Sequence, residues 1–162
     1  MIEIREAVLE DYDEINTFDV FASDRKAEIN RGEVMVAIID GKFAGYMTHN
    51  RCFYLRPFIQ FICVHEDCKR KGIAKALFKF AEDFYDKQGD EVIFASTEED
   101  NKIMLNYFKH FGWEKSGEIE NIQKQKEIVF VKRLKNAGKE LKYIPRLYKL
   151  LSQEFVQETL SQ

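Results

Sequence analysis

Proline occurs twice and cysteine three times in 162 residues, and no apolar run approaches the roughly 20 residues of a membrane-spanning helix. No internal repeat or low-complexity segment is present. Cys52, Cys63 and Cys68 make no disulfide framework in a chain whose charged, alternating start, Met1-Ile2-Glu3-Ile4-Arg5-Glu6, predicts no signal peptide. Free thiols and a cytoplasmic location are expected. His49, Cys52, Cys63, His65 and Cys68 are suitable ligand types for zinc, yet their spacing matches no paired Cys-x2-Cys pattern, and Cys63 lies in an apolar run. A net charge of −3 with both signs spread along the chain gives no case for a nucleic-acid or membrane partner.

What is present is a hydrophobic fraction of 45%, enough for the core of one compact domain. Ile2, Ile4 and Ala7 open a strand, and Leu9 to Ile15 carries the acidic residues of a first helical turn. A second short helix spans Ser23 to Arg31, capped by Ser23 or Asp24 and closed by Gly32. Glu33–Ile39 and Lys42–Thr48 flank Asp40-Gly41, a strong hairpin signal. Phe58–Val64 reads as a strand buried on both faces, with Pro57 at its start. Ile73, Ala74, Leu77, Phe78, Ala81, Phe84 and Tyr85 recur at helical spacing, and Gly89 stops the helix before the strand at Val92–Ala95. This is a βαβ unit, parallel and right-handed. A helix at 101–111 and strands near Trp113–Ile119 and Glu127–Leu134 complete an α+β plan with a mixed sheet flanked by helices. After Asn136-Ala137-Gly138, residues 135–162 form a separate extension. Pro145 can start a helix there whose Leu147, Tyr148, Leu151 and Phe155 share a face, suited to the parent domain or to a twin subunit.

The βα turn carries the chemistry. Val64 through Leu77 runs from an apolar strand through a basic turn into the helix, where unpaired N–H groups and partial positive charge favour an anion. Gly72 and Ala74 keep side chains out of the way, and Lys69, Arg70, Lys71 and Lys75 add charge. No Gly-x4-Gly-Lys-Ser/Thr or Gly-x-Gly-x-x-Gly motif competes for this role. Strand, Lys69-x-x-Gly72-x-Ala74, helix resembles the acyl-CoA pyrophosphate loop of the GNAT superfamily of N-acetyltransferases, with Lys69 where Gln or Arg is usual. Asn101 through Trp113 resembles the second signature of that superfamily, in the right order after the βαβ unit.

The resemblance covers residues 1–134 and implies a GNAT-like fold in which the strands at 58–64 and 91–96 splay to admit acetyl-CoA. It implies backbone contacts from Ile62, Cys63 and Val64 to the pantetheine amides, pyrophosphate binding by Lys69, Arg70, Lys71, Gly72, Ile73, Ala74 and Lys75, and a pantetheine contact from Asn101. The implied reaction is direct attack of an amine on the thioester, with a backbone N–H near Val64 stabilising the oxyanion. The acceptor is a small-molecule or protein amine, met by loops near residues 20–32 and 114–127. The sequence departs from the family where Phe108 takes the tyrosine position that commonly protonates the leaving thiolate, and Tyr107 is about 100° of helix rotation away. Phe58 or Gln60 and Ser96 stand where glutamates are usual, which leaves Glu98, with Glu99 and Asp100, at the cleft mouth as a base acting through water. Two alternatives stay open: an acyl-CoA-binding module without efficient turnover, and a metal-binding protein with a coincidental loop.

Overall fold

The computed structural model describes residues 1–21 and 23–135, so the predicted C-terminal helix lies outside the described residues. Strand β1 (Ile2–Glu6) leads through a short 3-10 turn into α1 (Tyr12–Asn16) and α2 (Arg25–Asn30). The hairpin β2 (Val34–Ile39) and β3 (Lys42–Phe53) precedes β4 (Arg56–Val64), α3 (Ile73–Lys87), β5 (Val92–Glu98), α4 (Lys102–His110), β6 (Glu114–Ile119) and β7 (Glu127–Arg133). The sheet order is β1-β2-β3-β4-β5-β7-β6, antiparallel except at β4 and β5, which are parallel across α3 as the βαβ pattern requires. None of the described helices is long and apolar enough to cross a membrane.

Local chemistry explains the elements. Asp40 and Gly41 take positive φ, 51° and 75°, a backbone that a two-residue hairpin turn requires and that aspartate and glycine tolerate. Asp24 caps α2 by accepting from the Ala27 N–H at 3.0 Å, so the cap is Asp24 rather than Ser23. β3 runs on past Thr48 to Phe53 with polar residues that find partners. His49 meets the Tyr85 hydroxyl at 2.6 Å, Asn50 donates to Gln60 at 3.2 Å, and Arg51 grips Asp90 at 2.6 Å.

Two cores form, one on each face of the sheet. On one face, Leu77, Phe78, Ala81 and Tyr85 of α3 and Phe108 of α4 pack with Met47, Ile59, Ile93, Ala95 and Phe130. On the other, α1 and α2 bring Ile15 and Ile29 onto Val34, Val36 and Tyr46. The second core covers β2 and β3 and reaches β4 at Cys63 without including a residue of β5, and that difference positions the site.

Candidate active site

β4 and β5 pair only through Phe58↔Phe94 and Ile59↔Ala95, although β4 continues to Val64 and β5 to Glu98. Beyond Ile59 the two strands part, leaving facing backbone edges inside the sheet. A bulge sits at the same point: Thr48 is opposite Phe61 and His49 opposite Ile59, so Gln60 is the extra residue. Bulges bend a strand and increase its twist, which here turns β4 away from β5.

The antiparallel ladder with β3 decides which backbone groups face the gap. The His65 N–H donates to the Ala44 carbonyl at 2.9 Å, so by alternation Cys63 also turns its amide and carbonyl toward β3. Ile62 and Val64 then turn theirs toward the gap. Cys63 is left with its side chain on the opposite face, its thiol donating to the Phe18 carbonyl at 3.6 Å.

The β4–α3 connection forms the other half of the site. Arg70 at φ 61° and Gly72 at φ 83° both adopt left-handed backbone, and this turns successive N–H groups into a concave nest at the start of α3. No side chain caps that helix. A Cβ added to Gly72 would meet nothing within 4 Å, so packing does not demand glycine there, whereas the positive φ does. Lys69 pairs with Glu66 at 2.5 Å, and the Lys75 ammonium lies 5.1 Å from the Phe111 ring centroid. Arg70 and Lys71 have no ion-pair partner among the described residues.

Asn101 is the N-cap of α4, its side-chain oxygen accepting from the Met104 N–H at 3.2 Å. Its amide NH2 has no hydrogen bond among the described residues. Glu98 ends β5 beside Glu127 of β7, and strand alternation puts it on the face of Phe94 and Ser96, away from α3 and α4. Phe108 is 0% exposed: its ring stacks on Phe130 at 4.4 Å and meets Phe78 and Trp113 edge-on or tilted. Tyr107 packs between Phe78 and Phe111, and burial with nearby Glu82 raises the pKa of its hydroxyl, which stays protonated.

The five zinc candidates do not assemble, since no group of three or more His, Cys, Asp or Glu suited to a metal occurs among the described residues. All three thiols are free. Sequence reasoning missed the network that fixes the α1–α2 connection. Tyr46 donates to Asp19, Arg25 bridges Asp19 at 2.9 Å and also Glu28, and the Asp19 carboxylate accepts the Phe21 N–H at 2.9 Å. This places Phe21 on Phe61, with centroids 4.1 Å apart. Its residues are far apart in sequence and form no motif, so only the fold brings them together.

No curated protein matches the sequence at a significant level. Solved structures do resemble it. A GNAT-family acetyltransferase from Bacillus cereus ATCC 10987 is 26% identical, with a TM-score of 0.69 over 83% of this chain and 98% of that one. The ribosomal-protein-S18-alanine N-acetyltransferase of Escherichia coli shares the fold at 18% identity, with a TM-score of 0.71 over 88% of this chain and 100% of that one. Arabidopsis thaliana Naa50, solved with the bisubstrate analogue CoA-Ac-MVNAL, shares it at 20% identity and TM-score 0.67, over 81% and 97%. The family model of the GNAT acetyltransferases matches residues 1–113, and with the parted strands and the nest at α3 in place, the chain belongs to the acetyltransferase (GNAT) family.

Proposed function

We propose that the protein transfers an acetyl group from acetyl-CoA to a primary amine by direct attack within a ternary complex, the acceptor being a small molecule or a protein. The observation that carries this reading is the coincidence of two unpartnered features: β4 and β5 stop pairing after Ile59↔Ala95, and the uncapped nest at Gly72 opens beside the end of β4. Acetyl-CoA, the cosubstrate of the family, fits both. Unpaired strand edges suit an amide-bearing arm, and a helix start suits a pyrophosphate.

In this reading the backbone groups of Ile62 and Val64 pair with the pantetheine arm, and Cys63 holds β4 to β3. Lys69, Arg70, Lys71, Gly72, Ile73, Ala74 and Lys75 bind the pyrophosphate, while the free amide NH2 of Asn101 donates to the pantetheine. The Val64 N–H donates to the thioester carbonyl oxygen. A bound thioester supplies the acetyl group: the amine nitrogen bonds to its carbonyl carbon, the carbon–sulfur bond breaks with CoA leaving as the thiolate that takes a proton from solvent, and the proton lost by the amine leaves through a base. Glu98 accepts that proton by way of water. Holding the two reactants together supplies much of the rate, which makes a weak acid–base apparatus sufficient.

A second reading, acyl-CoA binding without efficient turnover, is favoured by Phe108, an enclosed ring with no proton to give. Calorimetric titration and thiol release separate the two. Acetyl-CoA binding is expected to weaken by about tenfold or more in Gly72→Val, in line with the about 1–2 kcal/mol cost of left-handed backbone for a side chain bearing a Cβ. Equal affinity in a folded Gly72→Val protein overturns the nest as the binding site. Normal binding with no thiol release across an amine panel favours the second reading.

A further inference from the structure

We propose that the acceptor is an amine carried next to an aromatic or bulky apolar group, and that Phe21 and Phe61 select it. The inference rests on the reading that acetyl-CoA lies between β4 and β5.

The helices fix the side of approach. The residues assigned to the donor begin α3 and α4, and both helices pack on one face of the sheet through Leu77, Phe78 and Phe108. An acceptor therefore has to reach the gap from the opposite face. There α1 and α2 cover Val34, Val36 and Tyr46, with Cys63 of β4 packed against the same core, which includes none of Phe58, Phe61 and Phe94. Strand alternation, with the bulge at Gln60, sets Phe58, Phe61, Phe94 and Ser96 on this face. Phe53 ties Phe58 and Phe94 together at centroid distances of 5.3 and 5.0 Å.

All of these phenylalanines, and Phe21 stacked on Phe61, are only partly buried. Val20 beside Phe21 is 78% exposed, and Ile122 in the β6–β7 connection is 61% exposed. Partly open apolar side chains gathered on the face of a site mark a binding surface for apolar matter. Phe21 is held there by construction, because its N–H is bound by Asp19, which is itself fixed by Tyr46 and Arg25.

Charge favours an amine as well. The carboxylates around the mouth keep their charge while accepting from neutral donors: Glu99 from the Lys126 N–H at 3.4 Å, Asp100 from Gln125 at 3.3 Å, and Glu127 from Gln123 at 2.9 Å. Glu118 and Glu120 share Lys126 at 3.4 and 3.1 Å. The Glu98 carboxylate alone of this set has no hydrogen bond or ion pair among the described residues. Glu99, Asp100 and Glu127, with Glu98, accommodate an ammonium group, and aromatic faces add cation–π attraction to it. The hydroxyls of an aminosugar and the polar chain of a polyamine would lie against phenylalanine with no partner.

The test measures thiol release from acetyl-CoA with 2-phenylethylamine, spermidine and glucosamine, and with two peptides that differ only in a first residue of Phe or Ser. 2-Phenylethylamine or the Phe-first peptide is expected to exceed spermidine, glucosamine and the Ser-first peptide in kcat/KM by about tenfold or more. The ratio between the two favoured substrates tells a small amine from a protein N-terminus. Phe21→Ala is expected to erase the preference and Phe21→Leu to keep most of it. Spermidine, glucosamine or the Ser-first peptide matching the aromatic substrates overturns the inference, as does a preference that survives Phe21→Ala. Where no amine turns over, calorimetric titration of the same amines onto the CoA-bound protein decides by the same ratios. Normal CoA binding without an apolar preference sinks this inference alone, whereas absence of CoA binding sinks the reading beneath it.

Discussion

At the scale of single residues, His49 shows how burial decides chemistry. It is 2% exposed, one ring nitrogen meets the Tyr85 hydroxyl at 2.6 Å, and Nε2 has no partner among the described residues. Burial lowers its pKa to about 4 from an ordinary 6.5, against the opposing pull of Glu33. Between those two values the unfolded chain takes up a proton that the folded chain refuses, so stability falls as pH falls through the window. The full difference is about 3 kcal/mol as an upper bound, from roughly 1.4 kcal/mol per pKa unit. Urea titrations from pH 7 to pH 4 should show this decline, and His49→Gln should flatten it. An equal slope in the variant would assign the decline to other groups. Asp11, held below its ordinary range by the Arg5 guanidinium, loses its contribution only at lower pH, below about 4. The sequence offered His49 as a zinc candidate because residue type says nothing about which face a side chain takes. The fold puts it against Phe84 and Tyr85 on α3, whereas Cys63 joins the core beneath α1 and α2.

At the scale of elements, β4 carries the proposed pantetheine contacts, and Gly45 on β3 sets where it lies. A Cβ at Gly45 would stand 2.6 Å from the Cys63 carbonyl oxygen and 3.2 Å from the Val64 Cα, both backbone. Gly45→Ala must therefore move β4 or β3. We expect the variant to lose about 1–3 kcal/mol of stability, the usual cost of overpacking, and to bind acetyl-CoA more weakly because Ile62 and Val64 shift with the strand. A melting temperature and a calorimetric affinity both equal to wild type would show that the ladder absorbs the methyl group elsewhere. No motif marks Gly45, since its role depends on a strand paired through register rather than on its neighbours in sequence. The βαβ unit was legible for the opposite reason: the apolar run at Phe58–Val64, the helical spacing from Ile73 and the stop at Gly89 are local signals. The parting of β4 from β5 was reached through family resemblance, and its physical cause, the bulge at Gln60, has no residue signature. Asp24 and Asn101 were legible as helix starts because capping is a nearest-neighbour interaction.

At the scale of the whole molecule, the two faces of the sheet are unequal: α3 and α4 close one, while α1 and α2 close the β2–β3 side of the other and reach β4 at Cys63. The chain leaves β7 with the Leu134 N–H donating to the Glu91 carbonyl at 2.8 Å, at the start of β5 and thus at the end remote from the gap. The extension of residues 136–162 lies beyond that point and outside the described residues, and its Leu147, Leu151 and Phe155 predict an apolar stripe on a helix. Such a stripe needs a surface, either the parent domain or a second copy, since a helix of this length is marginal in water by itself. Truncation after Lys135 should therefore lower the melting temperature or change the oligomeric state, and dye binding should report newly exposed apolar surface. Acetyl-CoA affinity should survive, because the nest at Gly72 and the edges of Ile62 and Val64 are built entirely from residues before the cut. Analytical ultracentrifugation, calorimetry and CoA titration on both chains give the three readings. An unchanged melting temperature with an unchanged oligomeric state would sink the docking prediction, and lost CoA affinity would show that the extension completes the site.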